Sequence, residues 1–397
     1  MKIKEVRAEI IKDSREEETI EVNVNNHSTS APSGKSKGKH EKPPYLKSIK
    51  EDVDFINSIK SGDMAEINEF RDLEFIEDKF KDKIGANSLF ALESSILKAL
   101  AQEKNKELWQ ILNPSLDKNT RDARFPRILS NTVGGGAHSK GKIKPDFQEF
   151  LVTCDKNPSL GANINKRIYE EAGKIMGNLR INDLKTNDEN AWQTDLDNER
   201  VIEILKPLQN RISEEAVTKV GLGIDVAASQ FWKAGRKKYF YKNKNKTRTK
   251  DEQIDYIAGL IKKYSLLYIE DPLDEEDFKG FSKLVSLIEK NVMIVGDDLT
   301  VTNLERVRKA IEMKAITGLI VKPNQTGSLI EVKKICELCK KENIKIIVSH
   351  RSGETLDSTI SDIAFAFQAD YIKTPVVGEE RVAKVNRLME IEAGLKK

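Results

Sequence analysis

The sequence predicts an α/β fold: a closed (β/α)8-type barrel in the C-terminal part, preceded by a smaller α+β domain. Three observations carry this. Six short apolar runs between Gly221 and Thr374 each end in residues able to do chemistry. Stretches with apolar residues at helical spacing, such as VTNLERVRKAIEMKA and SLIEVKKICELCKKE, separate those runs. The chain has 397 residues, enough for a barrel of roughly 250 residues and one more domain of about 100–150.

From the N-terminus, KIKEVRAEIIKD and TIEVNVNN read as strands joined by the charged turn DSREEE. Ile20, Val22 and Val24 alternate with polar residues, the pattern of a half-buried antiparallel strand. STSAPSGKSKGKHEKPP has no apolar periodicity and reads as a mobile loop. Ser33, Gly34, Ser36 and Gly38 offer N–H and hydroxyl groups to an anion, and Lys35, Lys37 and Lys39 add charge. A plain surface linker has the same composition. SIKEDVDFINSI, INEFRDLEFIEDKF and NSLFALESSILKALAQEKNKELWQIL read as helices, the last as one long helix. LNPSLDKNTRDARFP connects onward, so the domains are expected at 1–122 and 123–397, with the mobile loop at about 29–41.

In ILSNTVGGGAHSKGKIKPDFQEFLVTC three glycines precede His138 and let the backbone approach a ligand closely. That loop setting favours a functional over a structural histidine. Gln148 and Glu149 lie between Phe147 and Phe150 on an expected strand. A carboxylate among aromatic rings has a raised pKa, which suits acid–base work. INKRIYEEAGKIMGNL and NERVIEILKPLQN read as helices on either side of a loop, TNDENAWQTDLDNE, that holds Asp188, Glu189 and Trp192.

Then come the six runs. They end on Asp225, on Glu270, on Asp297 and Asp298, on Lys322, on His350, Arg351 and Ser352, and on Lys373. Functional groups at successive strand ends belong on the C-terminal face of a barrel. Asp225, Glu270 and Asp297 form a cluster of negative charge that is costly unless a cation occupies it. An all-oxygen set suits Mg²⁺ or Mn²⁺ better than Zn²⁺. The competing reading, that each carboxylate caps the following helix, weakens when three strand ends in a row carry one. Asp298 is the weaker of its pair, since neighbours on a strand face opposite ways. Lys322, partly desolvated, is a candidate base. His350, Arg351 and Ser352 make a clamp for phosphate or carboxylate, and Lys373 adds positive charge. Metal, base and anion clamp together point to abstraction of a proton next to a carboxylate.

Composition narrows the setting. A net charge of +3 gives no global drive toward nucleic acid or an anionic membrane. The three cysteines build no disulfide framework and fit a reducing compartment. Cys336 and Cys339, a lone C-x-x-C, read as ordinary helix residues. No apolar run approaches the roughly 20 residues of a membrane span, and MKIKEVRAEIIKDS is no signal peptide. A cytoplasmic protein is the expectation.

GDDLTVTN, SHRSGET, IEDPLDEED, DVAAS, VKPNQTGS and GANS together resemble enolase, the phosphopyruvate hydratase family, in order and spacing over nearly the whole chain. The resemblance implies a hydro-lyase of glycolysis and gluconeogenesis. Such an enzyme interconverts 2-phospho-D-glycerate and phosphoenolpyruvate with two Mg²⁺ ions. It implies an α+β domain before a barrel that begins ββαα, and a homodimer or larger homo-oligomer without nucleic acid. Some members have a secondary cell-surface or secreted pool. By resemblance Asp225, Glu270 and Asp297 hold the first Mg²⁺, and Ser33 reaches the second when a lid, APSGKSKGKHE, closes. Lys322 is the base, Glu189 the acid and Glu149 its partner. His138, Gln148, Arg351, Ser352 and Lys373 contact substrate. The chain departs from the family around the ligand. D-E-G-G has become DENA, K-V-N-Q has become KPNQ, and the lid has extra lysines. Two alternatives stand beside an enolase: a related lyase or isomerase acting on another carboxylic acid, and a non-catalytic binding protein on the same scaffold.

Overall fold

The computed structural model describes the chain apart from Ser36, Lys37, Ser61, Asp63, Ala65, Asn119, Arg121, Asp122, residues 180–183 and Lys397. The expected boundary at residue 122 lies outside the described residues, as do Ser36 and Lys37 of the lysine-rich loop.

The two expected N-terminal strands are present as β1 (Val6–Lys12) and β2 (Glu18–Val24), paired antiparallel, and β3 (His27–Ser30) adds to β2. Ile20, Val22 and Val24 are fully buried, and their strand packs on the helix Ala86–Glu103. The long helix predicted to run to residue 112 is two helices. It stops at Glu103, and Leu108–Leu112 forms the second. Asn105 takes a left-handed turn (φ 50°) at the break, and Glu107 begins the new helix with a capping box to Gln110.

The barrel follows. Its strands are β4 (Arg127–Gly134) and β5 (Glu149–Cys154), then β7 (Val220–Asp225), β11 (Tyr268–Glu270), β12 (Met293–Gly296), β13 (Gly318–Val321), β14 (Lys345–Ser349) and β15 (Tyr371–Lys373). The short β6 (Trp192–Gln193) lies on β4, and β8 (Trp232–Lys233), β9 (Lys238–Tyr241) and β10 (Lys246–Arg248) form a small separate sheet. Pairing of β15 with β4 closes the ring of eight. All six apolar runs are strands, and all six are parallel to their neighbours in that series. β5 is antiparallel to both β4 and β7. A parallel return would need a crossover of a dozen or more residues, usually a helix. The chain has only a glycine- and lysine-rich turn there, and helices Pro158–Asn178 and Asn198–Glu215 come after β5. The barrel therefore begins ββαα.

The inside of the barrel is filled by Leu129, Leu151, Tyr268, Met293, Val295, Ile320, Ile347 and Tyr371. Gly223 of β7 makes room for Tyr268: a Cβ at Gly223 would lie 2.7 Å from that of Tyr268. Cys336 and Cys339 are buried on the helix Leu329–Lys341. Burial pushes the Cys336 thiol up to about 12, which makes it unreactive. Among the described residues no helix is long and apolar enough to cross a membrane.

A buried acid joins the N-terminal helices to the barrel. Glu93 accepts the N–H of Leu329, at the start of the helix Leu329–Lys341, at 2.8 Å. Burial, and then the neighbouring Glu77, hold its carboxyl well above the ordinary 4.5. A carboxyl raised in the folded state contributes stability fully below its unfolded pKa and loses it as pH rises through the folded value. Glu93→Gln keeps an acceptor for Leu329 and removes the titration. Its melting temperature should fall less than that of the unmodified chain as pH rises from about 4.5 past neutrality. Parallel melting curves across that range would refute the assignment.

Candidate active site

Strand periodicity explains why distant residues meet. Alternate residues of a strand face the same side. The interior positions Gly223, Tyr268, Val295, Ile320 and Tyr371 are each followed two residues on by Asp225, Glu270, Asp297, Lys322 and Lys373. Those five side chains therefore crown the barrel interior at its C-terminal end. β5 runs the other way, so its first residue, Glu149, lies opposite Asp225, two positions before the interior Leu151. A functional group at a strand's start, rather than its end, follows from that reversal.

The carboxylates expected to hold metal are buried: Asp225 is 2%, Glu270 0% and Asp297 8% exposed. Lys373 links the first two, its Nζ lying 2.8 Å from both oxygens of Glu270, 3.3 Å from Asp225 and 2.9 Å from Glu149. Burial works against its charge, but Glu149, Glu270 and Asp225 outweigh it and hold Lys373 well above its ordinary value. Glu270 also accepts the hydroxyl of Tyr268. Burial first, then Asp225, push Glu270 up to about 8. Lys322 Nζ donates to Asp297 Oδ2 at 2.5 Å. Burial would raise Asp297, yet Lys322 and Lys373 bring it below its usual value.

None of the helices after these strands is capped by the expected trio. Asn303 caps Leu304–Glu312 and Asp277 caps Phe278–Leu287, while Asp225 accepts the N–H of Ala227 without capping a helix. Four carboxylates (Glu149, Asp225, Glu270, Asp297) face two ammonium groups (Lys322, Lys373). Asp297 Oδ1 is buried with no hydrogen-bond partner among the described residues. An oxygen-only donor set that includes a buried, unpartnered carboxylate oxygen fits a hard divalent cation.

Asp298 does not face away as strand alternation suggests. β12 ends at Gly296, and the N–H groups of Asp297 and Asp298 both donate to Asp271, at 3.0 and 2.7 Å. The three carboxylates come within 4.8 Å of one another. The turn beyond them holds Val301 and Thr302 at positive φ (46° and 50°), a strained conformation for β-branched residues. It brings Thr302 Oγ1 to the N–H of Lys322 at 2.9 Å. Pro323 stands at the first position of a one-turn helix, Pro323–Thr326, and Lys322 before it is extended (φ −115°, ψ 100°). The proline substitution thus suits the lysine's strand-end position.

His138, Glu149 and Glu189 form a second buried cluster within 4.8 Å. His138 Nδ1 lies 3.3 Å from Glu189 and 3.8 Å from Glu149. Burial raises the carboxyl of Glu149 far above its usual range. For Glu189 burial acts the same way, but His138 outweighs it and the carboxyl lies well below. Of the two acids, the proton belongs to Glu149. The turn after Glu189 forms without the family's glycines for a local reason. Asn190 takes the left-handed turn (φ 64°), which asparagine tolerates best after glycine. Asn187 Oδ1 accepts the N–H groups of both Glu189 and Ala191 at 3.0 Å. Gly378 (φ +86°) passes so close that a Cβ there would sit 2.1 Å from Asn190 Nδ2.

The third group is the turn after β14. Arg351 directs its guanidinium at Glu41, 3.0 and 3.2 Å from the two carboxylate oxygens, and at Asn324 Oδ1, 3.3 Å away. His350 is buried and held well below its usual value by that burial, despite Glu189 nearby. Gly34 lies on Arg351 so tightly that a Cβ would be 1.9 Å from Nη2. Ser33 is bridged to Gly353 through backbone bonds of 2.7 and 2.8 Å, and its hydroxyl donates to Asp13. Arg15 reaches Ser33 Oγ at 2.8 Å and Ser352 Oγ at 3.1 Å.

One pocket is lined by His138, Gln148, Glu149, Glu189, Asp225, Asp297, Lys322, His350, Arg351, Ser352 and Lys373, with Gly34 and Ser349. Of the expected site residues, Glu270 lies behind Lys373 and Ser33 beside Asp13, both off its lining. The sequence reading missed Asp271 and Glu41. A signal for Asp271 was present, a second acid in the same strand-end IEDP. Glu41, at the end of a lysine-rich loop, gave none.

Residues 123–397 match the family described as the enolase C-terminal TIM barrel domain. The chain is 38% identical to the enolase of Methanosphaera stadtmanae, over 99% of this chain and 97% of that protein. It is 36% identical to the enolase of Archaeoglobus fulgidus (99% and 97%) and 35% identical to that of Methanothermobacter thermautotrophicus (98% and 96%). The chain belongs to the enolase family. As a family member it is an enzyme of the lyase class, a phosphopyruvate hydratase, at a level of identity that marks a divergent member.

Proposed function

We propose that this chain catalyses the Mg²⁺-dependent, reversible dehydration of 2-phospho-D-glycerate to phosphoenolpyruvate. The observation that carries the reading is the pocket itself, where a buried lysine, an acid–imidazole cluster and a guanidinium clamp share one small cavity. Arg351 and Ser352 hold the phosphate, with Gly34 leaving space for the guanidinium. Lys322 takes the proton from C2. Asp297 holds Lys322 charged, outweighing the burial that favours the neutral amine. Asp225, Glu270 and Asp297 would hold one Mg²⁺ and Ser33 a second, supplying Lewis-acid stabilisation of charge on the substrate carboxylate and drawing Asp297 away from Lys322. The Glu149–Glu189 pair supplies a proton to the hydroxyl at C3, which leaves as water, and His138 keeps the pair in register. The cavity volume is about 20 Å³, room for little more than one water, so the turn at Ser33 and Gly34 must lift for substrate to enter; Thr29 and Ser30, expected in the mobile loop, are held in β3.

Mixing the purified chain with 2-phosphoglycerate and Mg²⁺ should produce the ultraviolet absorbance of an enol phosphate, and a chelator should stop it. No turnover with Mg²⁺ or Mn²⁺ would reject the reading.

A further inference from the structure

Among the described residues at 35–42, three lysines and a histidine lie against acids on the barrel rim: Lys35 with Asp188 at 2.6 Å, Lys39 with Glu275 at 3.1 Å, His40 with Glu276 at 2.6 Å and Lys42 with Glu331 at 3.2 Å. Lys35 differs from the others in what it joins. Its N–H donates to Ser352 Oγ at 2.8 Å, while its ammonium reaches Asp188. One residue therefore spans the anion-clamp turn and the loop that carries Glu189.

That second loop is tied together internally. The N–H of Asn187 donates to Ala191 O at 2.9 Å, and Asn187 Oδ1 takes two N–H groups in return. No glycine lies between Thr186 and Gln193. Displacing Asp188 consequently displaces Glu189. On the other side, Arg381 Nη2 donates to the carbonyls of Asp188 at 3.1 Å and Ser352 at 2.8 Å, so the same two turns are tied from beneath.

We propose that Lys35 is a positioning residue: by bridging Ser352 and Asp188 it couples the anion-clamp turn to the placement of Glu189. The proposal rests on the assignment of Glu189 to the dehydration reaction. The Lys35 and Asp188 side chains are 38% and 21% exposed, and a partly exposed pair is weak by itself. Its effect should appear in catalysis and in local order, with the fold unchanged.

The test uses the full chain. Lys35→Met should lower kcat for 2-phosphoglycerate roughly five-fold, the upper range for such a pair, with a smaller change in KM. It should also speed amide hydrogen exchange over residues 186–194 of the free protein. Lys35→Arg should retain both properties. Asp188→Lys should lose them, and combining it with Lys35→Asp should recover most of the loss. Unchanged exchange at 186–194 in Lys35→Met, or a double variant no better than Asp188→Lys, would overturn the proposal. If the unmodified chain fails to dehydrate 2-phosphoglycerate, the reaction assignment falls, and the exchange measurement still decides whether Lys35 orders the Glu189 loop.

Discussion

Lys322→Ala should lose both dehydration of 2-phosphoglycerate and exchange of its C2 proton with deuterated solvent. General-base catalysis contributes on the order of 10²–10⁴-fold, so a loss of about 10³ in kcat is expected. Both halves of the reaction fail because proton removal comes first. Glu189→Gln is the informative contrast. It leaves the base itself untouched, so proton exchange continues while water no longer leaves efficiently. NMR of the substrate in deuterated buffer separates the two events. If Glu189→Gln dehydrates at the unmodified rate, the proton comes from elsewhere. Glu149, the cluster's other acid and the one that burial keeps protonated, is then the residue to change. If the unmodified chain exchanges the proton but never dehydrates, the reaction is that of a related lyase or isomerase.

Asp297→Ala should abolish metal-dependent activity while the barrel stays folded. Removing an outer-shell partner of a metal site costs roughly 10- to 100-fold, and removing a direct ligand should cost more. The fold survives because β12 ends at Gly296, before Asp297, and the ladder is held by backbone bonds. Lys322 would lose its counter-charge. A buried amine without a partner becomes neutral rather than remain an unpaired charge, so it does not disrupt the site around it. Calorimetric titration with Mg²⁺ should show weakened binding, and circular dichroism should show an unchanged spectrum. A variant with normal Mg²⁺-dependent turnover would remove Asp297 from the metal site.

The sequence alone determined the barrel, its six parallel strands and the crown of Asp225, Glu270, Asp297, Lys322 and Lys373. Each of these follows from local periodicity: an apolar strand of period two aims its terminal inward residue at the barrel axis wherever the strand ends up. The same logic placed Glu149 on a strand, though it could not tell from residue pattern that β5 runs backward. What only the tertiary structure decided are the partners. Arg351 is clamped by Glu41, 310 residues away in sequence, Ser33 is turned toward Asp13, and Lys373 gathers three carboxylates from three strands. Asp297 and Asp298 both bind Asp271 through their N–H groups because the chain leaves the strand one residue earlier than alternation assumes. Asn190 takes the left-handed turn between Asn187, which accepts the N–H groups of Glu189 and Ala191, and Gly378. Pairings of this kind depend on where whole loops pack against one another. No periodicity within a single segment carries that information.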